Sequence, residues 1–167
     1  SLLLNGNAAG VATTTLTEIA NHAVIKEKFK LLSDAAGLVA SPQIRNQGTL
    51  GGNIANASPA GDTLPVLLAM DASIVLGSVR GERTVAAADF WPSYRRTALA
   101  PDELIVRVRV PLAAGREVRY RKVGTRRAQA ISKVVMALAW REVPGAGGWA
   151  DVRVALGSVA ATPVRAT

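Results

Sequence analysis

The residues with the clearest chemical potential lie between Ser41 and Asp71, centred on Gly48-Thr49-Leu50-Gly51-Gly52-Asn53-Ile54. Two adjacent glycines let a ligand come close to the backbone, because no Cβ stands in the way. A helix-compatible run, Asn53 to Ala57, follows them. Free N–H groups in the first turn of a helix favour an anion. Thr49 and Asn53 add polar side chains on either side. The chemistry this pattern serves is the cradling of a phosphate or pyrophosphate. The same spacing also describes an ordinary Gly-Gly-Asn turn, so spacing alone leaves both readings open.

The surrounding elements must hold that stretch in place. Thr15 and Glu18 have capping-box spacing and predict a short helix through Asn21. Val24 to Gly37 reads as one or two amphipathic helices, with Ile25, Phe29, Leu32 and Ala36 on one face and Gly37 as a C-cap. Asp62 or Thr63 is placed to cap a helix with Pro65 in its first turn. Ala72 to Val79 and Arg83 to Ala86 form a hairpin around Arg80-Gly81-Glu82. Phe90, Trp91 and Tyr94 fall in a loop or short helix. From Leu104 to Val110 the pattern alternates. It sets Leu104, Val106, Val108 and Val110 on one side and Ile105, Arg107 and Arg109 on the other. Glu117 to Val123 is a strand with Val118, Tyr120 and Lys122 on one face. Ile131 to Val143 fits a strand or a buried helix, and its periodicity does not decide. Trp149 to Val159 is a further strand, with Val152, Val154 and Leu156 together. Helices followed by mostly antiparallel strands give an α+β fold, with a boundary near Gly115 that separates residues 1–114 from 115–167.

Composition narrows the chemistry. The chain has 167 residues, 49% of them hydrophobic and 19% charged, which suits a packed core. Without cysteine it carries no disulfide, no thiolate metal site and no iron–sulfur cluster ligated by its own thiolates. Its one histidine, His22, has no clustered partner in sequence and reads as a surface or capping residue. The net charge of +8 suits nucleic acid, an anionic cofactor or an acidic partner. No aromatic-studded basic stripe supports the nucleic-acid reading. No apolar run is long enough to span a bilayer, and the opening residues lack the basic start of a signal peptide, so the expected location is cytoplasmic.

Several motifs recur together in one order. Ile44-Arg45-Asn46 precedes Thr49-Leu50-Gly51-Gly52-Asn53, then come Ser58-Pro59, Asp62 and Pro65. Tyr94-Arg95-Arg96-Thr97 leads to Pro101-Asp102-Glu103, and Tyr120-Arg121-Lys122-Val123-Gly124-Thr125-Arg126-Arg127 follows. In this the chain resembles the FAD-binding domain of the molybdenum hydroxylases, the xanthine dehydrogenase and carbon monoxide dehydrogenase relatives, and is most similar to their separate medium FAD subunit. The resemblance implies the FAD-binding lobe of a PCMH-type, vanillyl-alcohol-oxidase-like fold, followed by a small α+β C-terminal domain. It implies FAD as cofactor, with Thr49, Leu50, Gly51, Gly52 and Asn53 at the pyrophosphate and Asp62 accepting from a ribose or another polar group. It also implies Ile105 against the ring system, Lys122 near the isoalloxazine edge, Tyr94 close to the flavin face, and Arg126 and Arg127 as a basic pair beside it.

The same resemblance implies an electron-transfer subunit. Electrons would come from the 2Fe-2S clusters of a partner chain, pass through FAD, and reach NAD+ or another acceptor. A molybdopterin-binding large subunit would complete a heterotrimer. Nucleic acid is not among the implied partners. Two departures stand out. The family's Gly-Gly-Thr-Asp-like loop, the other half of the cradle, has no counterpart here, and the chain stops before the family's terminal helix. The sequence therefore looks truncated at both ends, with its domain lacking the N-terminal lobe. Val39 also stands where some relatives carry an aromatic. The alternative reading is an assembly or docking module of the same fold without bound flavin.

Overall fold

The computed structural model describes residues 3–4, 7–112, 115–126, 130–145 and 147–166. Strands β1 (Leu3–Leu4) and β2 (Asn7–Val11) pair antiparallel and lead into a run of helices. Helix α1 (Leu16–Asn21) starts where the capping-box spacing predicts. The Glu18 N–H donates to the Thr15 hydroxyl at 3.2 Å, and the Thr15 N–H donates to the Glu18 carboxylate at 2.7 Å. The following segment is two helices, α2 (Ala23–Lys28) and α3 (Lys30–Leu38), broken at the buried Phe29. Gly37 does not cap α3. It lies inside the helix, 3.8 Å from the Ala20 Cβ if it bore a Cβ of its own, and the helix ends at Val39. The left-handed residue after it is Ala40, at φ 40°.

Next come α4 (Pro42–Gln47), α5 (Leu50–Ala55) and α6 (Leu64–Ala69). Every residue of α6 is buried, because this helix is packed against more than one layer. A helix that is apolar all round belongs in a core. The hairpin of β3 (Ser73–Ser78) and β4 (Gly81–Ala86) forms as expected, followed by α7 (Ala87–Phe90) and β5 (Leu104–Pro111). The first sheet has the order β1-β2-β5-β3-β4.

Strand β5 departs from its predicted alternation. Val75 pairs with Arg107 and Leu76 with Ile105, so Val106 is an extra residue. Such a bulge reverses which side chains face the core. Ile105 thereby joins the fully buried Leu76 and packs against the main cluster instead of pointing outward with Arg107 and Arg109. Gly77 makes room for the bulge, since a Cβ there would lie 2.6 Å from Val106 Cγ2.

The second sheet is an antiparallel meander, β6 (Glu117–Gly124), β7 (Ser132–Val143), β8 (Gly148–Gly157) and β9 (Val164–Ala166), in that order. The ambiguous segment is therefore a strand, hydrogen-bonded on both sides. Ala137, Ala139 and Ala155 are fully buried against α6. A Cβ on Gly157 would lie 2.9 Å from Pro65 Cγ, so these small residues let sheet and helix approach closely. Val154 and Leu156 share the opposite face, across from Leu138 and Met136. The architecture is α+β. Among the described residues, no helix is long and apolar enough to cross a membrane.

Candidate functional site

Thr49 starts the site by capping α5. Its hydroxyl oxygen accepts from the Gly52 N–H at 3.0 Å, so the helix begins at Leu50 and both glycines sit in its first turn. The helix thus begins three residues before Asn53, the start that the spacing suggests. The backbone donors expected to hold an anion are engaged within the chain. Leu50 N–H donates to Thr14 O at 3.1 Å, Gly51 N–H to Ala12 O at 2.9 Å and Asn53 N–H to Thr49 O at 3.0 Å. The segment leaving β2 runs beside α5 and takes the donors of Leu50 and Gly51, which local spacing does not reveal.

The two glycines have different reasons. A Cβ on Gly51 would lie 2.7 Å from both the Cβ and the carbonyl oxygen of Ala12. Gly51 is therefore required by the chain's own packing. Gly52 is exposed, and a Cβ there would meet only the Thr49 hydroxyl, at 3.0 Å. Thr49, Gly52 and Asn53, at i, i+3 and i+4, share the open face of the helix, whereas the Leu50 side chain is buried beneath it. The Thr49 O–H has no acceptor among the described residues. Asn53 accepts the Thr63 O–H at 2.6 Å, and among the described residues neither of its amide N–H groups has an acceptor. The face thus offers side-chain donors around a position without a side chain.

Thr63 links this face to a buried charge pair. Lys122 Nζ donates to Asp62 Oδ2 at 2.7 Å and to Leu38 O at 2.8 Å, with the lysine and aspartate side chains 10% and 6% exposed. Ser132 donates its hydroxyl to the other Asp62 oxygen, and Tyr120 donates to the Asp62 carbonyl at 3.2 Å. Burial, with a lesser contribution from the charge of Asp62, pushes the Tyr120 phenol well above its ordinary value, so it remains a donor. Asp62 does not cap α6, because its carboxylate is taken by Lys122 and Ser132. Thr63 holds the N-cap position but turns its hydroxyl to Asn53. Lys122 is a buried, paired cation and not a solvated strand lysine.

Beyond Lys122 opens a cavity of about 860 Å³. Arg45, Arg121, Lys122 and Arg126 line it with Leu38 and Thr125, and no described carboxylate is part of its wall. Clefts lined by one sign of charge concentrate ligands of the other. Arg45 also braces the left-handed turn at Ala40, donating from Nη1 to Val39 O at 2.8 Å and Ala40 O at 3.2 Å. A second cavity, about 260 Å³, lies between the α2–α3 junction and β6.

The structure thus puts Thr49, Gly52 and Asn53 on one helix face and pairs Asp62 with Lys122, with Thr63, bonded to Asn53 and next to Asp62 in the chain, between the two groups. Ile105 is half-buried in β5, against which α5 packs. Tyr94 is 59% exposed in the loop after α7, with the Arg95 guanidinium 5.9 Å from its ring centre. Arg127 lies outside the described residues. Thr63, Tyr120 and Ser132 also belong to the site, through their bonds to Asn53 and Asp62. The shared face of Tyr120 and Lys122 pointed to the first of the two strand residues; nothing local marked Ser132.

Known proteins resemble this chain throughout. Residues 9–113 match the family described as the FAD binding domain in molybdopterin dehydrogenase. The glyceraldehyde dehydrogenase medium chain of Sulfolobus acidocaldarius is 35% identical over 166 residues, covering 98% of this chain and 57% of that protein. The carbon monoxide dehydrogenase medium chain of Hydrogenophaga pseudoflava is 34% identical over 158 residues, covering 92% and 53%. A solved structure of carbon monoxide dehydrogenase from Hydrogenophaga pseudoflava superimposes with a TM-score of 0.92 at 32% identity, covering 98% of this chain and 56% of that one. The chain spans about half the length of the curated relatives it matches.

Proposed function

The chain belongs to the FAD-binding domains of molybdopterin dehydrogenases, and from that premise we propose that it is the electron-transferring FAD subunit of a molybdenum hydroxylase. In this reading its electrons come from 2Fe-2S clusters on a partner chain, a molybdopterin-binding subunit completes the assembly, and NAD+ or another acceptor takes the electrons away. The chain has no cysteine with which to hold clusters of its own. Bound FAD supplies a carrier able to exchange single electrons and hydride equivalents.

The observation that carries the reading is the donor-only open face of α5. Thr49 offers an O–H and Asn53 two N–H groups, and Gly52 leaves the space between them free. That set fits a pyrophosphate through side chains, not through the backbone N–H groups of residues 50–53. Leu50 and Gly51 support the face from below. Asp62, with both oxygens already accepting, has lone pairs left for a cofactor hydroxyl. Lys122 has used two of its three donors and keeps one for the cavity it lines. Its charge, tempered by Asp62, would favour an electron-rich ring edge. Ile105 would offer an apolar edge to the ring, and the exposed Tyr94 would cover it. Residues 1–114 would form the FAD-binding domain and 115–167 a smaller C-terminal domain, which contributes Lys122, Tyr120 and Ser132 across the boundary.

The test is to purify the full-length protein, release its non-covalent flavin and identify it. FAD near one equivalent per chain is expected, with loss of flavin when Thr49→Val and Asn53→Leu are combined. A folded wild-type protein that neither retains nor takes up FAD would show a docking module of the same fold.

A further inference from the structure

We propose that Ser132 is a positioning residue of this cofactor site: by fixing the Asp62 carboxylate, it aims the remaining N–H of Lys122 into the basic cavity. The inference rests on the FAD reading above. Asp62 has two oxygens and two side-chain partners, Lys122 on one and Ser132 on the other. With Lys122 alone, the carboxylate could turn about its own axis, and only the 2.8 Å bond to Leu38 O would hold the ammonium group in place. The hydroxyl on the second oxygen removes that freedom, and a charge-assisted hydrogen bond in a buried place is among the stronger kinds. Ser132 is 4% exposed and makes no other side-chain bond among the described residues, so Asp62 accounts for its presence in the core.

The backbone of β7 is shaped to deliver this contact. Val123 pairs with Val134, but the next pair is Gly124 with Ser132, so Lys133 is an extra residue. Regular alternation from the buried Val135 would turn Lys133 inward and Ser132 outward. The bulge reverses this: Ser132 is buried, while Lys133 and Val134 are both exposed. Bulges commonly re-aim a side chain beside a functional site. Here the bulge places a hydroxyl, rather than a second ammonium, against Asp62. A Cβ on Gly124 would lie 2.5 Å from the Ala130 Cβ, so the glycine lets the chain close tightly at this point.

The experiment compares wild type, Ser132→Ala, Ser132→Thr and Ser132→Cys in the full-length protein. FAD affinity is read by fluorescence titration and the flavin midpoint potential by spectroelectrochemistry. Ser132→Ala is expected to weaken FAD binding by about tenfold, the scale of one hydrogen bond to a charged group, and to lower the midpoint potential. Ser132→Thr, which keeps the hydroxyl, is expected to restore both. Should Ser132→Ala not fold, Ser132→Cys keeps the volume with a much weaker donor and is expected to show the same two losses. If wild type binds FAD and a folded Ala or Cys variant matches it in affinity and potential, the positioning role is wrong while the FAD reading stands. If wild type binds no FAD, both fall together.

Discussion

Replacing Gly51 by alanine sets a methyl group 2.7 Å from the Cβ and the carbonyl oxygen of Ala12. Neither is the far end of a flexible side chain, so the backbone must move. Overpacking of this kind costs about 1–3 kcal/mol, and moving the segments apart also weakens the 2.9 Å bond from Gly51 N–H to Ala12 O, worth about 1 kcal/mol. The helix propensity gained over glycine returns about 1 kcal/mol. The net loss is about 2 kcal/mol, which lowers the melting temperature by about 4–8 °C for a protein of this size. At Gly52 the same substitution meets only the Thr49 hydroxyl, at 3.0 Å; that hydroxyl caps α5 and must give slightly, so a weakened cap of about 1 kcal/mol offsets the propensity gain of about 1 kcal/mol and stability stays close to wild type. The new methyl fills the space between the Thr49 and Asn53 donors. Losing one charge-assisted phosphate contact there weakens FAD binding by about tenfold or more. Thermal unfolding without FAD and a FAD titration separate the two variants. A Gly51→Ala protein as stable as wild type would refute the packing argument. A Gly52→Ala protein with wild-type FAD affinity would refute the cradle.

Lys122→Met leaves Asp62 buried with only Ser132 and should cost about 3–5 kcal/mol in a denaturant titration, whereas adding Asp62→Leu should recover much of it, because an apolar pair carries no desolvation cost. An additive double variant would contradict that coupling. Glu103 is the clearest acid-sensitive group. Arg83 donates to it at 2.6 and 2.7 Å and the Ala100 N–H at 2.8 Å, which pulls its carboxyl down to about 2. A depressed carboxyl stabilises the fold above its unfolded value, about 4.3, and that contribution is lost as the pH falls toward about 2. Glu103→Gln should therefore flatten the melting temperature profile in this window, and an unchanged slope would show that the Arg83 contact does not persist in solution.

How far the fold could be read from sequence follows from how local each cause is. The Thr15–Glu18 capping box depends on residues three apart, and it forms as the spacing predicts. The β3–β4 hairpin and the shared face of Val118, Tyr120 and Lys122 are likewise carried by neighbours in sequence. The two bulges are not. Val106 and Lys133 look like ordinary members of alternating strands, and only pairing with β3 and β6 shows each to be an extra residue. Local alternation therefore points Ile105 outward and gives Ser132 no distinguishing mark. The Gly51-Gly52 pair was recognisable as a close approach, but sequence could not tell that Ala12 makes the approach at Gly51 while Gly52 stays open. Nor could it tell that Thr14 and Ala12 consume the backbone donors at Leu50 and Gly51. Segment Ile131 to Val143 became a strand because β6 and β8 flank it, and its own periodicity carried no decision.

On this reading the Thr49–Gly52–Asn53 face of α5 holds FAD by its pyrophosphate, while Lys122 faces the ring edge. Calorimetric titration of the full-length protein with FAD and with riboflavin, which carries the same ring without phosphates, tests it most directly. One FAD site per chain is expected, with much weaker binding of riboflavin and loss of that difference in the combined Thr49→Val and Asn53→Leu variant. Equal affinity of the wild-type protein for FAD and riboflavin, or a difference that survives in the variant, would contradict it.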